Sequence, residues 1–157
     1  SGGALAVVVV AFAGIVLVGI LSAIALPAYQ DYAIRAQVTE GLLASTSAKD
    51  AINQALTARR EPSTLDAGSL GIVIPEGLRY VESIDVNGGA IIVTFASSAS
   101  PKLAGRRFAQ VPTVSANGEI RWICGRVLAQ PGYTAVMPSY RSVTNVDAKY
   151  LPSACRG

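Results

Sequence analysis

The chain has 157 residues, 13 basic and 10 acidic side chains, two cysteines and no histidine, and 51% of it is apolar. That length holds one domain with an appendage rather than two full cores, and the absence of histidine removes the commonest general base and the commonest metal ligand together. The net charge of +3 hides an asymmetry: residues 1–99 carry five basic and eight acidic side chains, residues 100–157 eight basic and two acidic ones.

No charged residue occurs before Asp31, and residues 4–26 form an apolar run rich in Val, Ile, Leu, Ala and Gly. A hydrocarbon core about 30 Å thick needs roughly 20 helical residues, so the run is long enough to span one. A cleaved signal peptide has a shorter apolar core and a charged start. Ser1-Gly2-Gly3 supplies no positive flank to set an orientation, and the expectation is that a segment preceded Ser1. Pro27 deletes one helical hydrogen bond and predicts a kink rather than a stop, because helical spacing resumes at once through Ile34, Val38, Leu42, Ala48, Ile52, Ala55 and Leu56. Pro62 biases Glu61 away from helix. One helix over residues 5–60 is predicted, apolar all round in its first half and amphipathic in its second, so a soluble head packs on the second half only.

A loop over residues 61–77 leads into strands. Leu78–Val86 and Ile91–Ala96 flank Asn87-Gly88-Gly89, and Arg106–Val114 and Glu119–Cys124 flank Asn117-Gly118. Both read as hairpins with turn residues in place, and Pro112 predicts a bulge or an edge in the third strand. The sum is α+β: a helix packed on a four-stranded antiparallel sheet over residues 78–124. Residues 125–157 hold Pro131, Gly132, Pro138 and Pro152 without periodicity and read as a long loop that needs a tether. Cys124 and Cys155 have one connectivity if they pair, and pairing requires the oxidising compartment to which a membrane anchor gives a route. Two free buried thiols in a cytosolic protein are the other reading.

The string Ala23-Ile24-Ala25-Leu26-Pro27-Ala28-Tyr29-Gln30-Asp31-Tyr32, followed by Arg35-Ala36-Gln37-Val38-Thr39-Glu40-Gly41, closely resembles the N-terminal helix of type IVa pilins. Gly118-Glu119-Ile120-Arg121-Trp122-Ile123-Cys124 is similar to the pilin strand that opens the disulfide-bounded region, and Lys149-Tyr150-Leu151-Pro152-Ser153-Ala154-Cys155-Arg156 to its close. The resemblance implies the pilin fold, with residues 1–27 as a membrane-spanning and filament-core half-helix and residues 28–157 as the head. Within the head it places the amphipathic half-helix at 28–60 and the disulfide-bounded region at 124–155. It also implies partners: other copies of the chain through the apolar helix, the inner membrane before assembly, and the pilus assembly machinery. The matching location is an anchored, exported head that later enters an extracellular filament on a bacterial surface. Gly14 and Gly19 permit close helix–helix approach, and Gly19 and Pro27 bracket a segment able to lose helical hydrogen bonds in a filament; ordinary membrane-helix composition explains the same glycines. Two positions depart from the family. Its N-terminal phenylalanine and its glutamate 17 residues before the proline fall on Ala6 and Val10.

Two functions follow: a structural filament subunit serving adhesion, surface motility or DNA uptake, and, from the departures at Ala6 and Val10, a membrane-anchored pilin-like protein that never polymerises and acts as an exported binding module. A basic surface at Arg106, Arg107 and Arg126, interleaved with Trp122, Tyr133, Tyr140 and Tyr150, invites a DNA-binding reading. The plainer reading is preferred: Trp122 faces the core and the arginines form a solvated face. No triad, phosphate loop, metal-ligand spacing or cofactor motif occurs, so no enzyme, no metal and no cofactor are expected. Glu76, Glu82 and Asp85, the densest acidic group, read as a hydrated rim rather than a calcium site.

Overall fold

The structure, a computed structural model, describes residues 1–157. It divides into two compact units, Ser1–Ala33 and Ile34–Gly157. The first helix, α1 (Gly2–Ala44), contains Pro27 and continues through it, although the ring leaves the Ala23 carbonyl without its usual donor. The part of α1 in the first unit buries nothing; the first buried side chain in the chain is Ile34.

In the second unit, the helix expected to run unbroken to residue 60 is divided. α1 ends at Ala44 and α2 spans Thr46–Thr57. Between them the Ser45 hydroxyl donates to the Gly41 carbonyl (2.6 Å) and the Thr46 hydroxyl to the Leu43 carbonyl (2.8 Å). Such side-chain bonds compete with the backbone ladder for the same acceptors and loosen it. The buried stripe nevertheless runs on through the break: Ile34, Val38, Gly41, Ser45, Ala48, Ile52 and Ala55 are all buried. Their alternating spacing of four and three keeps one face toward the sheet. Gly41 belongs there because a Cβ would come within 2.8 Å of a Val93 methyl; its absence lets helix and sheet approach.

The loop over residues 61–77 carries a 3-10 turn at Pro62–Thr64 and a short helix, α3 (Ala67–Leu70), opened by a reciprocal Asp66–Ser69 capping box. Leu65 pins this loop: its side chain is fully buried, and its carbonyl accepts from the Gly89 N–H. The sheet follows as β1 (Val81–Asn87), β2 (Ala90–Phe95), β3 (Arg107–Ser115) and β4 (Ile120–Cys124), antiparallel in the order β1-β2-β3-β4. Gly88 and Gly89 both take positive φ (57° and 75°), the geometry a two-residue turn between right-twisted strands needs.

Two expectations about the sheet are corrected. A fifth strand, β5 (Tyr133–Ala135), pairs with β3 from within the segment expected to be loop, and α4 (Tyr140–Val143) follows it. Three residues give too short a run for alternation to be visible in the sequence. Pro112 sits neither in a recorded register shift nor on an outer strand, since β3 is central. It lies where β2 pairing ends at Gln110 and β5 pairing begins at Thr113. Its carbonyl accepts from the Val136 N–H, so its missing N–H faces the same gap between the two partners and interrupts no ladder.

The sheet therefore has two packed faces. Phe95, Phe108, Val93 and Ile91 meet the helices, the two phenylalanine rings stacking at 5.8 Å. On the opposite face Ala90, Ala109, Val111 and Ile123 are covered by Tyr140 and its neighbours from the C-terminal segment.

Candidate functional site

The first unit contributes the single helix that is long and apolar enough to cross a membrane. Leu5, Val10, Phe12 and Ile15 are each 68–71% exposed. A helix apolar on every side is satisfied only by lipid or by other apolar helices. Val10 stands on this exposed run with Gly14 and Gly19, where an added Cβ would meet nothing within 4 Å. Nothing in the chain itself requires those glycines.

The second element is the disulfide-bounded region. Cys124 at the end of β4 is bonded to Cys155, with 4.7 Å between Cα atoms, and no free cysteine remains. Gly125, directly after the bridge, has φ +65°, and a Cβ there would collide with the Cys155 carbonyl oxygen; only glycine serves where the two chain segments pass this closely. The bridge closes the expected loop, but hydrogen bonds order its interior as well. The Asn145 side-chain carbonyl accepts from the Arg107 N–H (2.6 Å), and the Thr144 hydroxyl accepts from the Ala109 N–H (3.0 Å). The Tyr140 hydroxyl donates to the Val127 carbonyl.

Of the three arginines expected to form a basic surface, the structure brings two together. Arg106 and Arg126 line one open cleft of about 510 Å³ with Lys102 and Lys149, where Asp147 is the only acid. Arg106 donates to the Asn145 carbonyl (2.9 Å) and Arg126 to that of Thr144 (3.3 Å). Arg107 is exposed on β3 and does not line this cleft. Tyr140 and Tyr150 are only 4% and 3% exposed, which removes both as stacking platforms for bases. Trp122 packs half-buried against the helix-side core and donates its indole N–H to the Asn53 side chain on α2 (2.8 Å). Lys49 lies over the same ring at 5.3 Å, and burial pushes its ammonium pKa down. Glu76, Glu82 and Asp85 form no converging metal-binding group; the Asp85 carboxylate accepts from the Ser83 hydroxyl (2.8 Å).

Two features escaped the sequence reading. Arg121 is clamped on three sides: by Glu119 (2.9 Å), by the Gln130 side chain (2.6 Å) and by the Tyr133 ring (4.8 Å). The Tyr133 hydroxyl first, and then the Arg121 guanidinium, hold the Glu119 carboxyl below its ordinary range. This cluster ties the segment before β5 to the β4 edge. No periodic pattern announces it, since its members are ordinary surface residues. The other is Gln110, fully buried on β3 with neither amide atom hydrogen-bonded; an amide between Ala109 and Val111 was the available signal.

Against this geometry, a family model described as Pilin (bacterial filament) matches residues 34–156, nearly the whole of the second unit. A type IV major pilin protein, PilE1, of Neisseria gonorrhoeae is 35% identical over 148 residues, covering 90% of this chain and 81% of the relative. The chain belongs to the pilin family. Among its other relatives, a fimbrial protein of Neisseria meningitidis serogroup A is 32% identical over 90% of this chain and 87% of its own length. The fimbrial protein EcpC of Eikenella corrodens is 32% identical over 90% and 83%. The resemblance read from the two ends of the chain thus holds across the pilin head between them. In this pilin the fold is the one expected: a long apolar N-terminal helix, an antiparallel sheet and a disulfide near the C-terminus.

Proposed function

We propose that this chain is a structural subunit of a type IV pilus-like filament. The observation that carries the reading is the contrast between its units. Residues 34–157 bury their own core, whereas the apolar helix before them buries nothing within the chain. Such a helix stores an interaction for lipid and then for other copies of itself. On this reading residues 1–27 span the inner membrane before assembly and later form the filament core, while residues 28–157 form the exported head. Gly14, Gly19 and Pro27 are the positions at which neighbouring helices pack closely or lose backbone hydrogen bonds. Assembly machinery acts on the anchored form. The chain carries out no catalysis in this role.

The test is electron microscopy of the sheared cell-surface fraction, labelled with an antibody against the head. Continuous labelling along filaments supports the subunit. Label confined to membranes, with none on filaments, overturns it and leaves a tethered module that does not polymerise.

A further inference from the structure

The C-terminus of α2 and the β3–β4 turn enclose an open cleft of about 480 Å³, within the size range of small-ligand sites. Its cationic wall is Arg59 and Arg60. Both are exposed, neither side chain makes a hydrogen bond or ion pair in the chain, and no carboxylate lines the cleft. Leu56, Pro62 and Val114 give it an apolar side. Across from them the Asn117 backbone N–H, in the turn, donates to nothing.

Arg59 is also the one non-glycine residue with positive φ, +58°. The helix ends there in a Schellman motif: the Arg59 N–H donates to Leu56 O (2.9 Å) and the Arg60 N–H to Ala55 O (3.0 Å). That position favours glycine, because a Cβ in the left-handed region crowds the following carbonyl. Arg59 thus stands at a position where glycine would be unstrained, beside a second cation whose side chain is unpaired.

The geometry points to a binding site in this cleft for a small carboxylate-bearing ligand with an apolar or ring-shaped body. Arg59 and Arg60 bind the carboxylate through charge-assisted, fork-shaped hydrogen bonds, the turn amide adds a further donor, and the apolar side covers the body of the ligand.

The experiment is a titration of the full-length, ¹⁵N-labelled chain in detergent micelles with benzoate, with glucuronate and with uncharged benzamide, followed by NMR. Benzoate or glucuronate is expected to move the Asn117 amide resonance saturably, and benzamide is not. Benzoate alone identifies an aromatic or peptide-like acid as the natural class; glucuronate alone identifies an acidic sugar. Arg59→Gly combined with Arg60→Ala should weaken binding at least tenfold. Arg59→Gly by itself should raise Tm by about 2–4 °C, because it relieves the cap, which separates loss of binding from loss of fold. The proposal is overturned if neither carboxylate moves Asn117, if benzamide moves it equally, or if the double variant binds as the parent does.

Discussion

The two units of this chain solve the problem of apolar surface in opposite ways. In the second, a helix face, a sheet and a C-terminal segment bury one another, leaving Phe95, Phe108, Ile52, Leu65 and Leu151 without exposure. In the first, side chains just as apolar stay open, with Leu17 at 58% and Ile24 at 68%. The difference lies in where polar residues fall: none is charged before Asp31, whereas in the head charged faces alternate with apolar stripes. An apolar stripe can be covered by the chain that carries it, whereas a helix apolar all round needs an environment on every side. The buried core of this protein therefore lies in residues 34–157, and the apolar surface it leaves uncovered lies in what precedes them.

The largest test of that division compares two truncations. Phe108→Ala removes a fully buried, ring-stacked side chain and is expected to destabilise the head by about 3–5 kcal/mol. Leu17→Ala should leave head stability within about 0.5 kcal/mol. Denaturant unfolding followed through Trp122 fluorescence measures both, and similar losses would erase the distinction between the units. Next comes the bridge: Cys124→Ser with Cys155→Ser frees a sequence separation of 31 residues and should cost about 3–4 kcal/mol on the chain-entropy model. If calorimetry shows much less, the hydrogen bonds through Thr144 and Asn145 hold the segment without it.

A smaller effect has the opposite sign. Gln110 buries an amide with no partner, so Gln110→Met, of similar size and apolar, is expected to stabilise the head by about 1–2 kcal/mol. A loss in the same unfolding assay would show that the amide finds a partner in solution. The smallest effect is acid sensitivity at the Glu119–Arg121–Tyr133 cluster. A carboxyl whose native pKa is lowered contributes stability above its ordinary value of 4.5 and loses that contribution as pH falls through the native value. The protection of the Tyr133 amide, its exchange corrected for the intrinsic pH dependence, should fall below about pH 4.5, while Glu119→Gln should remove that fall. An unchanged acid response in that variant would assign the effect to another group.

Much of the helix–sheet framework was legible because its residues repeat. Ile34, Val38, Ala48, Ile52 and Ala55 were visible as a stripe, and the glycine turns between strands marked both hairpins. Gly41 and Ser45 lie on the same stripe but were invisible to it, one having no side chain and the other a polar one. Only the approach of Val93 explains the first, and only the hydroxyl bond to Gly41 explains how the second is buried. The basic surface was read as three arginines because charge can be counted along a chain. Which charges converge depends on the fold, and the fold replaced Arg107 with Lys102 and Lys149.

The sequence by itself determined the apolar helix, the amphipathic face after it, the four main strands and the single possible cysteine pairing. Each depends on local periodicity or on a count. The tertiary structure decided the division of the helix at Ser45, the fifth strand, the placement of Pro112 between two strand partners, the isolation of Gln110 and the strained cap at Arg59. Each of those arises where residues distant in sequence, or a backbone and the side chains around it, compete for the same space or the same hydrogen-bonding group.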